Sequence, residues 1–545
     1  MNETTDIRPM PTPLPLITSL ARSGALDRAW ALFRDAGYDA ATADPAALAV
    51  KGRLLKDQGL RAAGAERARW LGAAEAAYAA ADALNPAPWL LINVAALAAL
   101  QGDAARAAAT ARHVLARLAA GGVAETAYFI AATRAEALLL CGNPAAADAA
   151  LAQAMAAQPE GWSDHATTLR QLGLILDAQG ADKAWLDRYR PPRSLHFAGH
   201  LGVAETGSDA LRSAVDTALD EHSIGFGYGA LAAGADIVVA EALLARGAEL
   251  HVFLPVPVSD FLVQSVAPYG AGWGARFAAC LGQAASVQIA TGAAGAYEPL
   301  ATALAADTAM GAAILNARLL QSHAVQLLII DDGDGPFGAG ASTARDGAIW
   351  QGTPHPQTLI HWPRNAPVAA SAGQHEGRAD RRLLALLLVR FDGLDRLSDS
   401  TFAAALDVAI APFWAQAERL PGQPALTMLH GNARTLGFAS VPAAAAFARR
   451  LHALDPPGAF TLTLAGHYGL VHAIAGGAIG PALVVLAEIA AATQPGTTTV
   501  SEPFATALAL TSTLASASAS APASDAALHV VDLGDHGAFR LFAVQ

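Results

Sequence analysis

Two consecutive prolines, Pro191 and Pro192, separate two parts of the sequence that differ in hydrophobic periodicity. Proline fixes φ and lacks a backbone donor, so a pair of prolines ends a helix. Before the pair, apolar residues recur at helical spacing, whereas after it short apolar runs alternate with helical stretches. Because 545 residues also exceed what one hydrophobic core usually holds, the sequence predicts a multidomain protein whose first domain spans residues 1–192.

Turn signals divide the first part at regular intervals. They occur as DQGL at 57–60, QGDAARA at 101–107 and CGNPAAA at 141–147, each between alanine- and leucine-rich stretches. A spacing of roughly forty residues is typical of helix–turn–helix repeats. The stretch AAYAAADALNPAPWLLINVAALAAL resembles the junction between two tetratricopeptide repeats. The resemblance implies an α-helical repeat solenoid that binds protein partners on its concave face. A plain helical bundle is the alternative.

Residues 193–365 alternate between strand-like and helical patterns. Apolar strand candidates are SLHFAGH, SVQIAT, AVQLLIIDDGDG and TLIHWP, and helical stretches separate them. This alternation predicts an α/β domain with a Rossmann-like, doubly wound sheet. The polar stretch that follows, residues 366–380, is predicted to be a linker, and residues 381–545 form a third domain.

A glycine-rich stretch in the middle domain is a candidate ligand site. GFGYGALAAGAD contains Gly225, Gly227, Gly229 and Gly234, and it precedes a helical pattern. We predict a turn over 225–229, because glycines allow backbone N–H groups to approach a phosphate at a helix N-terminus. A P-loop is excluded, since no lysine follows Lys183.

The same region resembles the SLOG superfamily, nucleotide-sensing Rossmannoid domains related to DNA-processing protein A and lysine-decarboxylase-like proteins. The matching residues are Gly199, His200, Gly229, Gly234, Asp236, Glu241, Leu254 and Pro255. The resemblance implies a nucleotide or NAD-type ligand, cradled by 225–229 beside Asp236 and Glu241. A carboxylate there either accepts ribose hydroxyls or takes part in N-glycosidic cleavage. For Glu241 a salt bridge with Arg246 is the alternative, and His200 is either a ligand or a turn-stabilising donor.

The third domain carries three blocks in a fixed order. They are LLLVRFDGL from 386, a strand–turn–strand–helix pattern at 425–453, and a stretch at 460–510 with His467, Gly469, Gly480 and Pro481. Together they resemble the class III adenylate/guanylate cyclase domain, which implies an α+β, ferredoxin-like fold that pairs as a homodimer or heterodimer.

The cyclase resemblance also implies that the catalytic residues are missing. Cyclisation uses two divalent ions, which two aspartates hold, and here those positions are Arg390 and Asn432. Asp392 lies on the same strand face as Arg390, but one carboxylate does not hold two ions. Val484 and Glu488 stand where the family has an asparagine and an arginine. We predict a degenerate site without a metal, in which Arg390 reflects either drift or a fixed cation that holds a nucleotide.

Charge and hydropathy exclude other classes of partner. The net charge is −12 and no run of basic residues exceeds a pair, so the clustered basic face that nucleic acid needs is not predicted. The most apolar stretch, 471–493, is interrupted by His472 and Glu488, and we predict a strand, turn and helix there rather than a membrane span. Two cysteines and an N-terminus without a signal-peptide pattern favour the cytoplasm.

These patterns together predict a signalling protein that senses a nucleotide-type ligand in the middle domain. It would relay binding through protein contacts and have no cyclase activity. Two alternatives stay open at this point. One is an active enzyme, either an N-glycosidic hydrolase or a residual cyclase, and the other is a scaffold made only for protein partners.

Overall fold

A computed structural model describes most of the chain. The described residues are 13–22, 26–122, 124–205, 208–291, 299–331, 342–364, 380–394, 397–454, 460–517, 530–537 and 539–544. The chain forms two compact units, residues 1–191 and 192–545. All of the predicted linker except Asp380 lies outside the described residues, and the predicted domain limits stay a prediction.

The first unit is helical. Its helices are α1 (Leu14–Arg22), α2 (Leu26–Asp35), α3 (Pro45–Arg61), α4 (Gly64–Leu84), α5 (Pro88–Leu100), α6 (Ala104–Ala120), α7 (Ala127–Leu140), α8 (Pro144–Ala157) and α9 (Trp162–Gln179). Consecutive helices pack in pairs, α3 on α4, α5 on α6 and α7 on α8.

The turns inside two of these pairs have the same chemistry. Gly102 and Gly142 adopt φ values of 82° and 76°, the left-handed conformation that ends a helix most easily with glycine. The residue after each glycine caps the next helix: Asp103 accepts from the Arg106 amide at 3.0 Å and Asn143 from the Ala146 amide at 3.1 Å. Side-chain caps of this kind satisfy the first free amides of a helix, so two of the three predicted turns, at 101–107 and 141–147, correspond to real helix ends. The third prediction is wrong, because DQGL at 57–60 forms the last turn of α3.

The second unit begins with a six-stranded parallel sheet. Its strands are β1 (Arg193–Gly199), β2 (Ile224–Gly229), β3 (Glu249–Leu254), β4 (Ser286–Ile289), β5 (Ala324–Ile330) and β6 (Gln357–His361), in the order β4-β3-β2-β1-β5-β6. The helices are α10 (Asp209–Glu221), α11 (Ala235–Ala245), α12 (Val258–Ser265), α13 (Ala271–Gln283), α14 (Pro299–Leu319) and α15 (Ser342–Gln351). The strand order reverses between β1 and β5, which makes this the switch point of the predicted doubly wound sheet.

A mixed sheet follows in the same unit. It contains β7 (Arg381–Asp392), β8 (Leu426–His430), β9 (Ala433–Phe438), β10 (Thr461–Ile474), β12 (Thr498–Ser501), β13 (Val530–His536) and β14 (Phe539–Val544), with the short β11 (Gly477–Ile479) paired to β10. The helices are α16 (Asp399–Ala405), α17 (Ala411–Ala417), α18 (Val441–His452), α19 (Pro481–Ala492) and α20 (Glu502–Ala517). Residues 192–364 are called the parallel-sheet part and residues 380–544 the mixed-sheet part.

Helix α14 joins the two parts. It packs against β1, β2 and β3 on one side and against α20 on the other. Its length and hydropathy match those of a membrane span, but 67% of its most apolar window is buried inside the protein. Such burial is typical of a core helix, and α14 is the one helix in the described ranges with these properties. The apolar stretch 471–493 forms the end of β10, then β11 and α19, as predicted.

Candidate functional site

The predicted glycine turn is a strand. Gly225, Gly227 and Gly229 lie within β2, so the prediction of a phosphate-cradling turn at 225–229 is wrong. A Cβ on any of the three would overlap a neighbour, namely Pro192, Leu243 or Phe197. These glycines therefore allow β2 to pack closely against β1 and α11.

Asp236 connects the ends of β1 and β2. Its carboxylate accepts hydrogen bonds from the amide of Gly199 at 2.9 Å and from the amide of Ala232 at 3.2 Å. The side chain is buried, and burial raises the pKa of Asp236 to about 7 even though both amides favour its charged form. The backbone is close here, since Gly234 has φ of 96° and a Cβ on Gly199 would overlap Ala235.

His200 occupies the loop that follows β1. Its Nε2 donates to the carbonyl oxygen of Trp362 at 2.8 Å, and its Nδ1 accepts from the amide of Gly202 at 3.2 Å. Burial lowers the pKa of His200, so the neutral ring stabilises the turn with both nitrogens in use. The structure thus favours the turn-stabilising alternative over a ligand role.

The carboxyl ends of β1 and β5 define the switch point of the sheet, where open α/β sheets usually form a ligand-binding crevice. Gly199, His200, Gly234 and Asp236 all contribute to its β1 side. At the end of β5, Asp331 accepts from Arg364 Nε at 2.9 Å, and both side chains are largely buried. Sequence patterns gave no signal for this ion pair, because 33 residues separate its members.

Glu241 lies elsewhere. Both of its carboxylate oxygens accept from Arg276, at 2.7 Å and 2.6 Å, across the contact between α11 and α13. Arg246 instead pairs with Asp216 and Asp220, so the predicted alternative of a Glu241–Arg246 bridge is wrong. No contact links Glu241 to the crevice residues in the described ranges, and its bidentate pairing indicates a structural role.

The end of β7 holds Arg390 and Asp392, two residues of the predicted degenerate cyclase site. Arg390 Nε donates to Asp392 Oδ1 at 2.8 Å, and Thr463 of β10 donates to Asp392 Oδ2. Arg390 also contacts the Ala490 carbonyl oxygen near the end of α19, at 3.4 Å. Both carboxylate oxygens of Asp392 therefore accept a hydrogen bond. The contact with Arg390 is the one that the shared strand face predicts.

The other predicted positions do not join this cluster. Asn432 is exposed in the turn between β8 and β9. Val484, at 60% exposure, and Glu488 lie on the outer face of α19, whereas Leu486 and Ile489 face the sheet. Among the described residues no group of three or more His, Cys, Asp or Glu side chains has an arrangement that would hold a metal ion.

Solved structures resemble separate parts of the chain. An adenylate/guanylate cyclase/hydrolase from Silicibacter pomeroyi is 20% identical, covering 30% of this chain and 98% of its own, with a TM-score of 0.23. The catalytic core of a rhodopsin-guanylyl cyclase is 9% identical, covering 30% and 96%, with a TM-score of 0.24. A tetratricopeptide protein from Thermus thermophilus is 22% identical, covering 29% and 97%, with a TM-score of 0.20.

No family model and no curated relative matches the sequence. The structural similarities are too low to carry an inference about activity. The architecture follows from the helix pairs and strand orders themselves, which comprise paired helices, a parallel sheet and a mixed sheet.

The roles of Asp236 and Glu241 predict different effects on stability. Asp236→Ala leaves two amides without an acceptor, and each such donor costs about 1–3 kcal/mol of stability. Because removing a buried acid offsets part of this cost, we expect the free energy of unfolding to fall by about 2 kcal/mol. Glu241→Gln disturbs an ion pair whose side chains are about a quarter exposed, so we expect the free energy of unfolding to fall by at most about 1 kcal/mol.

Amide hydrogen exchange of the full chain measures this difference locally, at Gly199 and Ala232. Protection of both amides should fall in Asp236→Ala and stay near the wild-type value in Glu241→Gln. Equal protection in the two variants would contradict the structural role of Asp236.

Proposed function

We propose that the protein is a cytoplasmic sensor of a nucleotide-type ligand whose cyclase-like part is catalytically silent. The ligand binds at the switch point of the parallel sheet, and the helical repeats bind a protein partner. The proposal keeps the predicted domain order, with repeats at 1–192, a SLOG-like domain at 193–365 and a cyclase-homology domain at 381–545.

The observation that carries this proposal is the cluster of Arg390, Asp392 and Thr463. A cyclase uses two divalent ions to place the triphosphate and to remove the 3′-hydroxyl proton. Here Asp392, the one carboxylate at the site among the residues that the structure describes, accepts from a guanidinium and from a hydroxyl. A cation that entered would have to displace Arg390, whose positive charge opposes it. The cluster supports a cyclase fold that has lost metal binding.

The crevice supports the ligand site. In open α/β sheets, ligands bind beyond the carboxyl ends of the strands at the switch point. The N-terminus of α11 at Gly234 and the positive charge of Arg364 beside β5 both favour an anionic ligand at this edge of the sheet. Hydrolysis of an N-glycosidic bond by Glu241 has less support, because Arg276 holds both oxygens of that carboxylate.

The helical unit supports a protein partner. Trp89 near the start of α5 and Phe129 near the start of α7 are forty positions apart in the sequence, and each is 45% exposed. Large aromatic side chains repeated at the same place in the first helix of successive pairs are the kind of group that anchors an interface. We propose this row as the partner-binding surface of the repeats.

Two assays on the purified full chain test the proposal. With ATP or GTP and manganese, we expect no cyclic nucleotide above a heat-denatured control, while an active class III cyclase serves as the positive control. With ATP, GTP or NAD in a calorimeter, we expect binding of at least one ligand. Arg364→Gln should weaken it about tenfold, since hydrogen bonds to charged groups contribute about 1.5–3 kcal/mol.

Glu241→Gln is the matched control and should leave ligand affinity unchanged. Formation of cyclic AMP or cyclic GMP would contradict the proposal that the cyclase-like part is catalytically silent. The absence of a binding heat with all three ligands would contradict the proposal that the protein is a sensor.

A further inference from the structure

The carboxylate of Glu205 lies against the N-terminus of a helix. Glu205 is in the loop that follows β1, and α13 begins at Ala271, directly after Gly270. A Cβ added to Gly270 would lie 2.7 Å from Glu205 Oε2, and a Cβ added to Gly272 would overlap Glu205 Oε1. Because α13 leads back into β4, which runs parallel to β3, the helix begins at the carboxyl edge of the parallel sheet.

Trp273 contributes a free donor to the same place. Its side chain is fully buried, and its Nε1 has no hydrogen-bond partner among the described residues. A Cβ added to Gly270 would lie 3.6 Å from this Nε1, so the indole N–H and the Glu205 carboxylate border the same small space without bonding to each other. A buried N–H without an acceptor costs free energy, unless a ligand supplies one.

The first turn of α13 supplies further donors. Within the described ranges no side chain caps this helix, and the first amides of a helix have no partner inside it. They also carry the partial positive charge of the helix dipole, which favours an anion. An anion that reached these amides and the Trp273 indole together would satisfy donors that the Glu205 carboxylate leaves free.

Arg276 adds positive charge beside this space. Its guanidinium stacks on the Trp273 ring, 4.2 Å from the ring centroid, and pairs with Glu241. The pKa of Arg276 is raised mainly by its hydrogen bonds to Glu241 and to a smaller extent by the charge of Glu205. A second anionic group at the position of Glu205 is therefore attracted by the same guanidinium.

Glu205 itself is held weakly. It is exposed, and it forms no hydrogen bond or ion pair with any residue that the structure describes. Its carboxylate thus shows where an anion fits, although it does not bond to the donors around it. A phosphate group has more acceptor oxygens and more negative charge than a carboxylate, so it can bond to several of these donors at once.

We propose that the N-terminus of α13 is a phosphate-binding site, which Glu205 occupies when the ligand is absent. The phosphate group displaces Glu205 and accepts from the Trp273 indole N–H and from the first amides of α13. Because Glu205 belongs to the loop that begins at His200, its release also reaches the switch point of the sheet. This inference goes beyond the proposed function, since inorganic phosphate alone tests it and its failure would leave the nucleotide proposal unaffected.

Phosphate titrations of the full chain test the proposal. The probe is inorganic phosphate at millimolar concentration, with chloride added to keep the ionic strength constant. Calorimetry measures the affinity, and heteronuclear NMR follows the indole N–H signals of the nine tryptophans. We expect one indole signal to shift, and Trp273→Phe identifies it as the signal that disappears. Since the lost hydrogen bond is to a charged acceptor, Trp273→Phe should weaken phosphate binding about tenfold.

Two other substitutions should change the affinity in opposite directions. Glu205→Gln removes the competing charge and should tighten phosphate binding about fivefold. Gly272→Ala places a methyl group where the carboxylate lies and should weaken phosphate binding about tenfold, although alanine suits the helix itself. The controls are Gly274→Ala, whose added Cβ meets no neighbour within 4 Å, and Glu221→Gln, which removes an exposed acid just before β2. Both controls should bind phosphate like wild type.

A second ligand distinguishes the sources of the phosphate group. Tighter binding of ribose 5-phosphate than of inorganic phosphate would identify a phosphomonoester as the ligand, and the reverse order would identify free phosphate. If the Trp273 signal shifts with neither ligand, or if Glu205→Gln and Gly272→Ala both bind phosphate like wild type, the site is refuted. Weaker binding in Glu205→Gln would refute the role of Glu205 as the internal occupant.

Discussion

Gly311→Val is expected to separate the parallel-sheet part from the mixed-sheet part. Gly311 lies in α14 at its contact with α20, where an added Cβ would overlap the carbonyl oxygen of Thr506. Arg318, two turns further along α14, donates to the Ala509 carbonyl oxygen of α20 at 3.2 Å. The two helices thus meet backbone to backbone, and the neighbour that would have to move is main chain.

The sign of this effect follows from two opposing terms. Replacing a helical glycine normally stabilises a helix, by about 1 kcal/mol for alanine and less for β-branched valine. Overpacking a tight contact costs about 1–3 kcal/mol, and more when backbone is displaced. The cost of overpacking dominates at Gly311, so we expect the free energy of unfolding to fall by about 3 kcal/mol.

Gly274→Ala in α13 is the matched control. It is a helical glycine with no neighbour within 4 Å of an added Cβ, so we expect it to gain up to about 1 kcal/mol. Amide hydrogen exchange in α14 and α20 of the full chain measures both variants. Wild-type or greater protection in Gly311→Val would contradict the tight contact.

This contact also bears on how a signal could cross the second unit. Helix α14 covers β1, β2 and β3, and β1 ends at the switch point of the sheet. A change at the switch point would therefore act on α14. Because its contact with α20 has little free space, a shift of α14 would be transmitted to the mixed sheet rather than absorbed.

Elements were easier to predict from the sequence than the contacts between them. The strand–turn–strand–helix pattern at 425–453 and the turns at Gly102 and Gly142 follow from local turn chemistry, which depends on adjacent residues. The stretch at 225–229 was misread because glycines at every second position occur in turns and also in strands that must pack closely. Only the neighbours Pro192, Leu243 and Phe197 distinguish the two, and they are distant in sequence.

In the candidate sites too, contacts between residues close in sequence were predictable and contacts between distant residues were not. The contact between Arg390 and Asp392 follows from strand alternation alone. For Glu241 the alternatives to a functional role were a salt bridge with Arg246, five residues further along the chain, or a solvated helix face, but in the structure its partner is Arg276 from another helix. One available signal was missed: His196 and Gln326 interrupt apolar strand patterns, and a polar residue inside such a run indicates a buried network.

Acid is expected to destabilise this network through His196. The ring is buried, and its Nδ1 lies 3.0 Å from Gln326 Nε2, while Gln326 Oε1 accepts from Gln357 Nε2 at 2.6 Å. Since the amide nitrogen of Gln326 is a donor, His196 Nδ1 must accept and so must be unprotonated. Burial lowers the pKa of His196 to about 3, from an ordinary value of 6.5.

The direction of the pH effect follows from that lowered pKa. Between about pH 6.5 and pH 3, His196 is protonated in the unfolded chain and neutral in the folded chain. Stability is therefore complete above pH 6.5 and falls as the pH approaches 3, by about 1.4 kcal/mol per pH unit for one group. Asp346 acts in the opposite sense, because burial raises its pKa to about 7. The difference between wild type and a variant isolates the contribution of His196.

His196→Asn tests this argument, because its side-chain oxygen can still accept from Gln326. We expect the variant to be less stable than wild type at neutral pH, since it loses the stack on Trp350, whose ring centroid lies 5.9 Å away. On acidification the variant should lose less stability than wild type, and the difference should be about 1.4 kcal/mol per pH unit. Exchange of the β1 and β5 amides, corrected for the intrinsic pH dependence, provides the measurement. His430→Asn, at an exposed position, should follow the wild-type pH profile, and a His196→Asn profile parallel to wild type would show that protonation of this ring does not limit stability in acid.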